Sequence, residues 1–157
     1  MLNIPDKKNI DTERFIHSYA KLMANWGMPL TAARVCAYLM LEPKPAGLDQ
    51  IAAGLGISKA SAWGAARHLE QVGQVERFGE PGSKRALYAP VENFARSLLN
   101  FSRLLSRSGS LLREGAVLAE GEAKPRMEER AEIFLAVHEA IEDTVSELTA
   151  VRKRAAA

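Results

Sequence analysis

The chain has 157 residues, 47% of them hydrophobic and 25% charged, a composition typical of a soluble globular domain with a buried core. Its formal net charge of +2 is too small to establish a polyanionic partner, so nucleic-acid binding must rest on geometry as well as on charge. The single cysteine excludes an intramolecular disulfide and fits a reducing cytoplasm, where we expect the protein. No apolar run approaches the roughly 18 residues that cross a bilayer, and the N-terminus lacks the apolar stretch of a signal peptide, so no membrane partner is expected.

Residues 1–30 are predicted to contain a loose leader and one helix. The helix is expected to begin at Asp11 or Thr12 and to be closed by Gly27 and Pro29. Its large side chains recur at helical spacing and form one apolar face, at Phe15, Tyr19, Leu22 and Trp26. We expect this face to pack in the core or against a second subunit rather than to line a ligand cavity.

A second helix is predicted from a Thr31 cap to the proline-rich segment that starts at Glu42. It carries Cys36 within an apolar run, which favours a buried small hydrophobe over a redox-sensing thiol. Leu48 is expected to begin a pairing that leads into the next helix, with a short third strand as an open alternative.

Two short helices joined by a tight turn are predicted next. Asp49 caps the first helix, and Gly56 ends it in the left-handed backbone that glycine tolerates. Ser58 caps the second helix, which runs to about Val72.

The second of these helices has two contrasting faces. One stripe is apolar or small and is expected to point inward, at Ala62, Ala66, Leu69 and Gly73. The opposite stripe has the same spacing and holds two very small residues and an arginine, at Ala60, Gly64, Arg67 and Gln71. Such a face suits close approach to a large partner, and the DNA major groove admits one helix. An ordinary solvated surface is the alternative.

A basic hairpin follows this helix. Residues 75–78 and 85–89 predict two strands around the turn sequence GEPGS at 79–83. Arg77 lies on the first strand, and Lys84 and Arg85 lie at or just past the tip. Within this pattern, contact with phosphates or a minor groove is favoured over a solvated turn for the two tip residues.

The order helix, turn, helix and basic hairpin over residues 49–89 resembles the winged helix-turn-helix of MarR-type regulators, and the GbsR-like branch is the best match. The resemblance is carried by LGIS at 55–58, Lys59, Leu69-Glu70, Val72-Gly73 and Val75-x-Arg77. It implies a mainly α (α+β) fold with a two-stranded wing and long flanking dimerisation helices. It also implies that the second helix reads DNA while the wing contacts adjacent DNA.

The resemblance and the chemistry of DNA together give the candidate binding residues. Arg67, with Ser61 and Gly64 beside it, is expected to face base edges, because arginine reads guanine through a bidentate contact. Ser58 and Lys59 are expected to hold phosphates with help from the helix N-terminus. The complete candidate set is Ser58, Lys59, Ala60, Ser61, Gly64, Arg67, Arg77, Lys84 and Arg85.

The remainder of the chain is predicted to be helical. One amphipathic helix covers residues 91–118 with a kink or break at 108–110, and another covers about 125–152 after a linker at 120–125. One winged helix-turn-helix domain is too small to cover the apolar faces of all the flanking helices. A two-fold homodimer, in which equivalent faces bury each other, is therefore favoured over a monomer whose C-terminal helices fold back on that domain. We therefore divide the chain into a leader and dimerisation helix (1–30), a winged domain (31–90) and a C-terminal dimerisation region (91–157).

Catalytic chemistry is not expected. The three histidines, His17, His68 and His138, belong to no H-E-x-x-H pair, no C-x-x-C occurs, and GEPGSK lacks phosphate-loop spacing. We predict no cofactor or metal and a cytoplasmic, non-enzymatic regulator that binds double-stranded DNA as a homodimer. The family resemblance leaves room for a small-molecule effector. The alternative function is a winged-helix protein–protein adaptor without sequence-specific DNA binding.

Overall fold

The computed structural model of the protein describes residues 7–79 and 81–155. These residues form two compact units, of which one ends at Glu92 and the other begins at Asn93. The first unit contains α1 (Lys7–Asn25), α2 (Leu30–Leu41), β1 (Ala46–Gly47), α3 (Leu48–Leu55), α4 (Lys59–Gln71), β2 (Val75–Gly79) and β3 (Ala86–Pro90). The second contains α5 (Phe94–Leu118) and α6 (Ala123–Ala155). The predicted mainly helical winged helix-turn-helix fold is confirmed.

The wing is a hairpin within a small antiparallel sheet. Its strand order is β1-β3-β2, with Arg77 opposite Tyr88 in the hairpin and Ala46 opposite Tyr88 on the other side. The turn between β2 and β3 includes Gly82 in the left-handed region at φ 74°. Part of the predicted turn, Glu80, lies outside the described residues. The open alternative of a third strand is therefore correct, although Leu48 itself starts α3 and the strand lies just before it.

The core of the first unit lies between α2, α3 and α4. Val35, Leu39, Ile51 and Leu69 are among its fully buried side chains, and each buried aliphatic of this size contributes about 1.5–3 kcal/mol. The predicted inward stripe of α4 is confirmed at Ala62, Ala66 and Leu69, which are 0% exposed, whereas Gly73 lies beyond the end of the helix and is half-buried. The two alanine methyl side chains let α4 pack closely against the core. The packing of this buried face sets the position of the opposite, exposed face of α4.

The first helix differs from its prediction in two ways. It is already helical at Lys7, so the expected start at Asp11 or Thr12 and the loose leader up to residue 10 are wrong; residues 1–6 lie outside the described part. The side chains that face the core are Ile16 and Ala20, whereas most of the large apolar stripe is exposed, with Trp26 at 84%. The broad stripe therefore leaves an apolar surface on this unit.

Two predicted helix caps are wrong for a common reason. Helix α2 begins at Leu30, with Pro29 as its N-cap and a first bond from the Ala33 amide to the Pro29 carbonyl, so Thr31 lies inside it. Helix α3 follows β1 directly and has Gly47 as its N-cap, which places Asp49 in its first turn. In both cases the preceding proline or strand, rather than the nearest polar side chain, sets where the helix begins.

The second unit is a pair of long helices. Of the predicted kink or break at residues 108–110, the break is wrong, because α5 is continuous from Phe94 to Leu118. Gly109 is buried against α6, and a Cβ there would lie 2.8 Å from Leu135 Cγ, so this glycine permits close helix packing and does not end the helix. Helix α6 begins at Ala123, because Pro125 in its first turn needs no hydrogen-bonded amide. Within residues 7–79 and 81–155, no helix combines the length and apolarity of a bilayer-crossing segment.

Candidate nucleic-acid interface

The turn between α3 and α4 has the predicted local chemistry. Gly56 adopts φ 62° and ψ 37°, the left-handed conformation that favours glycine, and the Ile57 amide donates to the Ala52 carbonyl at 3.0 Å. Ser58 is the N-cap of α4, and its Oγ accepts a hydrogen bond from the Ser61 amide at 3.1 Å. Both predictions are confirmed, and together these bonds fix the direction in which α4 leaves the turn.

The outward face of α4 is exposed and nearly bare. Its predicted stripe, Ala60, Gly64, Arg67 and Gln71, is exposed throughout, as is the neighbouring Ser61. A Cβ built at Gly64 would meet none of the described atoms within 4 Å, so the backbone there is open to a partner. Because Ala62 and Ala66 pack α4 closely against the core, that packing sets the position of this bare surface.

Arg67 has one aromatic neighbour on the same helix. Its guanidinium carbon lies over the Trp63 ring, 5.4 Å from the ring centroid, and this distance is within the range of a cation–π interaction. Trp63 is 50% exposed, so the indole lies on the surface and is not buried beneath the helix. Among the described residues, Arg67 forms no ion pair with a carboxylate.

A cleft separates the start of α3 and α4 from the wing. Its volume is about 510 Å³, within the range of ligand-sized clefts, and Trp63, Leu87 and Tyr88 supply apolar walls. Among the described residues that line it, the charged ones are Asp49, Lys59, Arg77, Lys84 and Arg85. Four cations thus share the cleft with one carboxylate, although the chain as a whole is nearly neutral.

The carboxylate in the cleft is paired with one of the cations. Lys59 Nζ lies 2.9 Å from Asp49 Oδ1 and donates to Oδ2 at 3.1 Å, with both side chains about two-thirds exposed. The hydrogen bond from Lys59 and the positive charges of Lys59 and Arg85 lower the pKa of Asp49 below its ordinary value. Asp49 is therefore ionised at neutral pH, and its negative charge offsets part of the positive charge of the cleft.

The structure brings most of the predicted residues together. Lys59, Arg77, Lys84 and Arg85 share the cleft, whereas Ala60, Ser61, Gly64 and Arg67 lie on the outward face of α4, and Ser58 acts as its cap. Sequence reasoning missed the place of Asp49 in this site, since it is ten residues from Lys59 in a different helix. The spacing of four between Trp63 and Arg67 is a signal from which their contact can be predicted.

A serine, a histidine and a glutamate also lie in series on α5 and α6. His138 Nδ1 lies 3.2 Å from Ser102 Oγ, and its Nε2 lies 3.8 Å from Glu142 Oε1. Ser102 is 0% exposed and donates to the Leu99 carbonyl at 2.9 Å, so no substrate can reach its hydroxyl. This arrangement is a packing contact and not a nucleophilic site. In the described part of the chain, no group of three His, Cys, Asp or Glu residues is placed to hold a metal.

Comparison with known proteins gives one curated relative with a similar sequence and solved structures with a similar fold. No protein-family model matches the chain. The HTH-type transcriptional repressor OpcR of Bacillus subtilis (strain 168) is 24% identical over 101 residues, which cover 61% of this chain and 55% of that protein. The chain thus spans about half the length of this curated relative.

Solved structures extend the comparison to the fold. The crystal structure of a transcriptional regulator superposes with a TM-score of 0.79 at 19% identity, over 88% of this chain and 98% of that one. Transcriptional regulator Tm0710 from Thermotoga maritima gives a TM-score of 0.43 at 15% identity, over 88% and 87%, a value too low to carry an argument. The winged-helix fold is therefore shared with a known regulator along most of the chain.

Proposed function

We propose that the protein is a DNA-binding transcriptional regulator that acts as a homodimer in the cytoplasm. The observation that carries this proposal is the pairing of two surfaces on the first unit. An exposed, nearly bare helix face that carries Arg67 lies beside a cleft lined by four cationic side chains. A nucleic acid offers a groove to the first surface and phosphates to the second.

The outward face of α4 would enter the major groove. Ala60 and Gly64 let the backbone come close to the bases, and Arg67 reaches base edges with guanine as its preferred partner. Ser58 and Lys59 at the start of α4 contact phosphate, where free backbone amides and the helix dipole favour an anion. With few donors on this face, specificity also rests on the shape of the DNA and on the wing.

The wing would contact the sugar–phosphate backbone of the DNA next to the groove that α4 enters. Arg77, Lys84 and Arg85 line the cleft from the hairpin side, while Lys59 lines it from α4. A DNA strand that runs along the cleft would therefore meet cations from both sides. These contacts contribute affinity rather than sequence information, because phosphates are the same at every base pair.

An exposed apolar stripe on α5 supports the homodimer. Its members fall at the a and d positions of a heptad repeat and are Phe94, Phe101, Leu104, Leu111 and Leu118, all more than half exposed. Helix α6 covers the side of α5 that includes Ser102, Gly109 and Ala116, and it reaches the edge of the stripe at Gly115, beside Met127. We propose that a second copy covers the exposed stripe by two-fold symmetry and that the two heads read half-sites about 34–36 Å apart.

The finer classification follows the same reasoning. We further propose that the protein is a MarR-type regulator of the GbsR-like branch, a proposal supported by the sequence features of residues 55–77 and by the winged fold. The name of the relative OpcR, a transcriptional repressor, agrees with a role in transcription. From the resemblance to MarR-type regulators we also propose that a small-molecule effector modulates DNA binding.

The test is a salt titration with duplex DNA selected from a random pool. For a regulator, log K falls linearly with log salt concentration, by about 0.9 for each phosphate contact. Arg67→Ala should reduce discrimination between bases by about 1–3 kcal/mol at one position, whereas Lys84→Ala should weaken all duplexes alike and reduce the salt slope by about one. Binding that is absent, insensitive to salt or blind to sequence would instead favour the protein–protein adaptor.

A further inference from the structure

We propose that Trp63 is a positioning residue for sequence readout: its ring holds the Arg67 guanidinium in the orientation from which it meets a guanine edge. The inference rests on the proposed function and adds a specificity-determining residue to it. Trp63 is not among the candidate contacts with DNA, and its role here is to act through Arg67.

The first support is the contact itself. Trp63 and Arg67 are four residues apart, so they lie one above the other on α4, and the guanidinium carbon is 5.4 Å from the ring centroid. Among the described residues, no carboxylate pairs with this guanidinium and competes for its position. The indole face is therefore the group that restricts the arginine side chain.

The second support is the position of Trp63 on the surface. A half-exposed tryptophan adds little to the core, yet this one lies between the cationic cleft, which it lines, and the bare stripe that includes Gly64. The ring thus stands at the boundary between the two proposed contact surfaces. In this place it limits the directions in which the long Arg67 side chain can extend.

The third support is the chemistry of the guanidinium group. Stacking on an aromatic ring engages the face of the guanidinium and leaves its N–H donors free in the plane. Those same in-plane donors make the bidentate contact with guanine O6 and N7. The ring interaction and base readout are therefore compatible, and an arginine that is already ordered loses less conformational entropy when it binds.

The experiment is a double-mutant cycle on DNA binding. Wild type, Trp63→Ala, Arg67→Ala and the double variant are titrated against the tightest duplex from random selection. The loss of discrimination in Arg67→Ala identifies the guanine that Arg67 contacts. The four proteins are also titrated against a second duplex in which this guanine is replaced by adenine. We expect Trp63→Ala to weaken binding to the first duplex about two- to fivefold and to have little effect on the second duplex or in the Arg67→Ala background.

Two further variants separate the ring face from simple bulk. Trp63→Phe keeps an aromatic face and should retain most of the selectivity, whereas Trp63→Leu keeps apolar volume and should lose it. Trp26→Phe is the matched control for Trp63→Phe, because Trp26 is the other tryptophan of the chain and lies outside α4, and the substitution keeps an aromatic ring at the end of the apolar face of the first helix. It should leave both titrations unchanged.

Fluorescence tests the contact without DNA. In a Trp26→Phe background Trp63 is the only tryptophan, and Arg67→Ala should make it more accessible to acrylamide quenching. Unchanged quenching, or equal loss from Trp63→Ala with and without Arg67, would overturn this inference while leaving the proposed function intact. A wild type that binds no duplex selectively would overturn both.

Discussion

Asp49 and Lys59 form an ion pair of 2.9 Å inside a cleft whose other charged lining residues are arginine and lysine. Asp49 comes from the first turn of α3 and Lys59 from the first turn of α4, so the pair links the two helices of the helix-turn-helix. A phosphate that approached Lys59 would have to share the ammonium with this carboxylate. The protein thus carries an internal competitor for the anion that its cleft is proposed to bind.

We therefore predict that Asp49→Asn strengthens DNA binding. Loss of the carboxylate frees Lys59 for phosphate, so affinity at low salt should rise severalfold and the salt slope should steepen by about 0.9. The gain should shrink at high salt, because the Debye length is only about 3 Å at 1 M. Fluorescence anisotropy with a labelled duplex over a salt series measures both effects.

The matched control for this variant is Asp11→Asn. It removes the same charge from an exposed position on α1, outside the cleft, and should leave affinity close to wild type. Equal gains from both variants would mean that overall charge, and not the pairing of Lys59, sets the affinity.

A glycine-to-alanine substitution is expected to change the free energy of unfolding in opposite directions at Gly64 and Gly54. Gly64→Ala should stabilise the fold by about 0.5–1 kcal/mol, because the glycine lies in the exposed interior of α4 and the new methyl group meets no described atom within 4 Å. It should nevertheless weaken DNA binding if the backbone of α4 comes close to the bases. Urea denaturation and anisotropy on the same sample separate the two outcomes.

Gly54→Ala is the contrasting case. A Cβ at this position would lie 2.5 Å from Tyr38 Cε2 and 2.8 Å from the Tyr38 hydroxyl oxygen. We expect a loss of about 1–3 kcal/mol in the free energy of unfolding, because the ring or α3 must move. Tyr38→Leu should recover part of this loss, and a Gly54→Ala protein as stable as wild type would contradict the close packing.

The stripe on α5 predicts a variant that dissociates the proposed homodimer. Leu111→Glu places a charge in the proposed interface and should raise the dimer dissociation constant by at least about tenfold. Ser110→Glu introduces the same side chain at the neighbouring exposed position, which lies outside the a and d stripe, and should preserve the dimer. Sedimentation equilibrium distinguishes them, and a monomeric wild type at micromolar concentration would remove the half-site proposal.

Cys36 predicts a dependence of stability on alkaline pH. Burial raises the pKa of the Cys36 thiol above its ordinary value of 9.0, although the hydrogen bond with Tyr19 partly offsets this effect. The folded state therefore keeps a proton that the unfolded chain releases, so stability is fully present below about pH 9 and declines as pH rises further. Burial also raises the pKa of Tyr19, to about 12, which extends the decline.

Urea denaturation between pH 7 and pH 11 measures this decline. Cys36→Ala should flatten the lower part of the decline, where the thiol contributes, and reduce the part due to Tyr19 to what burial of the phenol causes, because Cys36 also raises the pKa of Tyr19. The native thiol should also react slowly with Ellman's reagent at pH 8 and rapidly in guanidinium chloride, because it is 3% exposed. Fast reaction in the native protein would contradict its burial.

The parts of the fold that follow from neighbouring residues could be predicted. Gly56 and Ser58 act within a few residues of themselves, so their roles as turn and cap are visible in the sequence. The inward alanines of α4 follow from helical periodicity. The same reasoning gave the order of the elements, and with it the winged fold.

The errors arise where distant parts of the chain decide the outcome. Asp49 has the right side chain for a cap but lies opposite Lys59, because β1 leads the chain into α3 at Gly47. Gly109 suggests a break in isolation, yet contact with α6 makes it a close-packed position. Likewise, the cationic cleft joins residues from two helices and a hairpin, and only the fold brings them within reach of one another.

The contact between His138 and Ser102 has a consequence for how the second unit assembles. Because the Ser102 hydroxyl donates to Leu99, its lone pairs are left to face His138 Nδ1 at 3.2 Å. If α6 slid along α5 by one turn, about 5.4 Å, the pairing of His138 with Ser102 would be lost. The polar bond therefore acts together with the close packing of Gly109 on Leu135 to set the longitudinal alignment of the two helices.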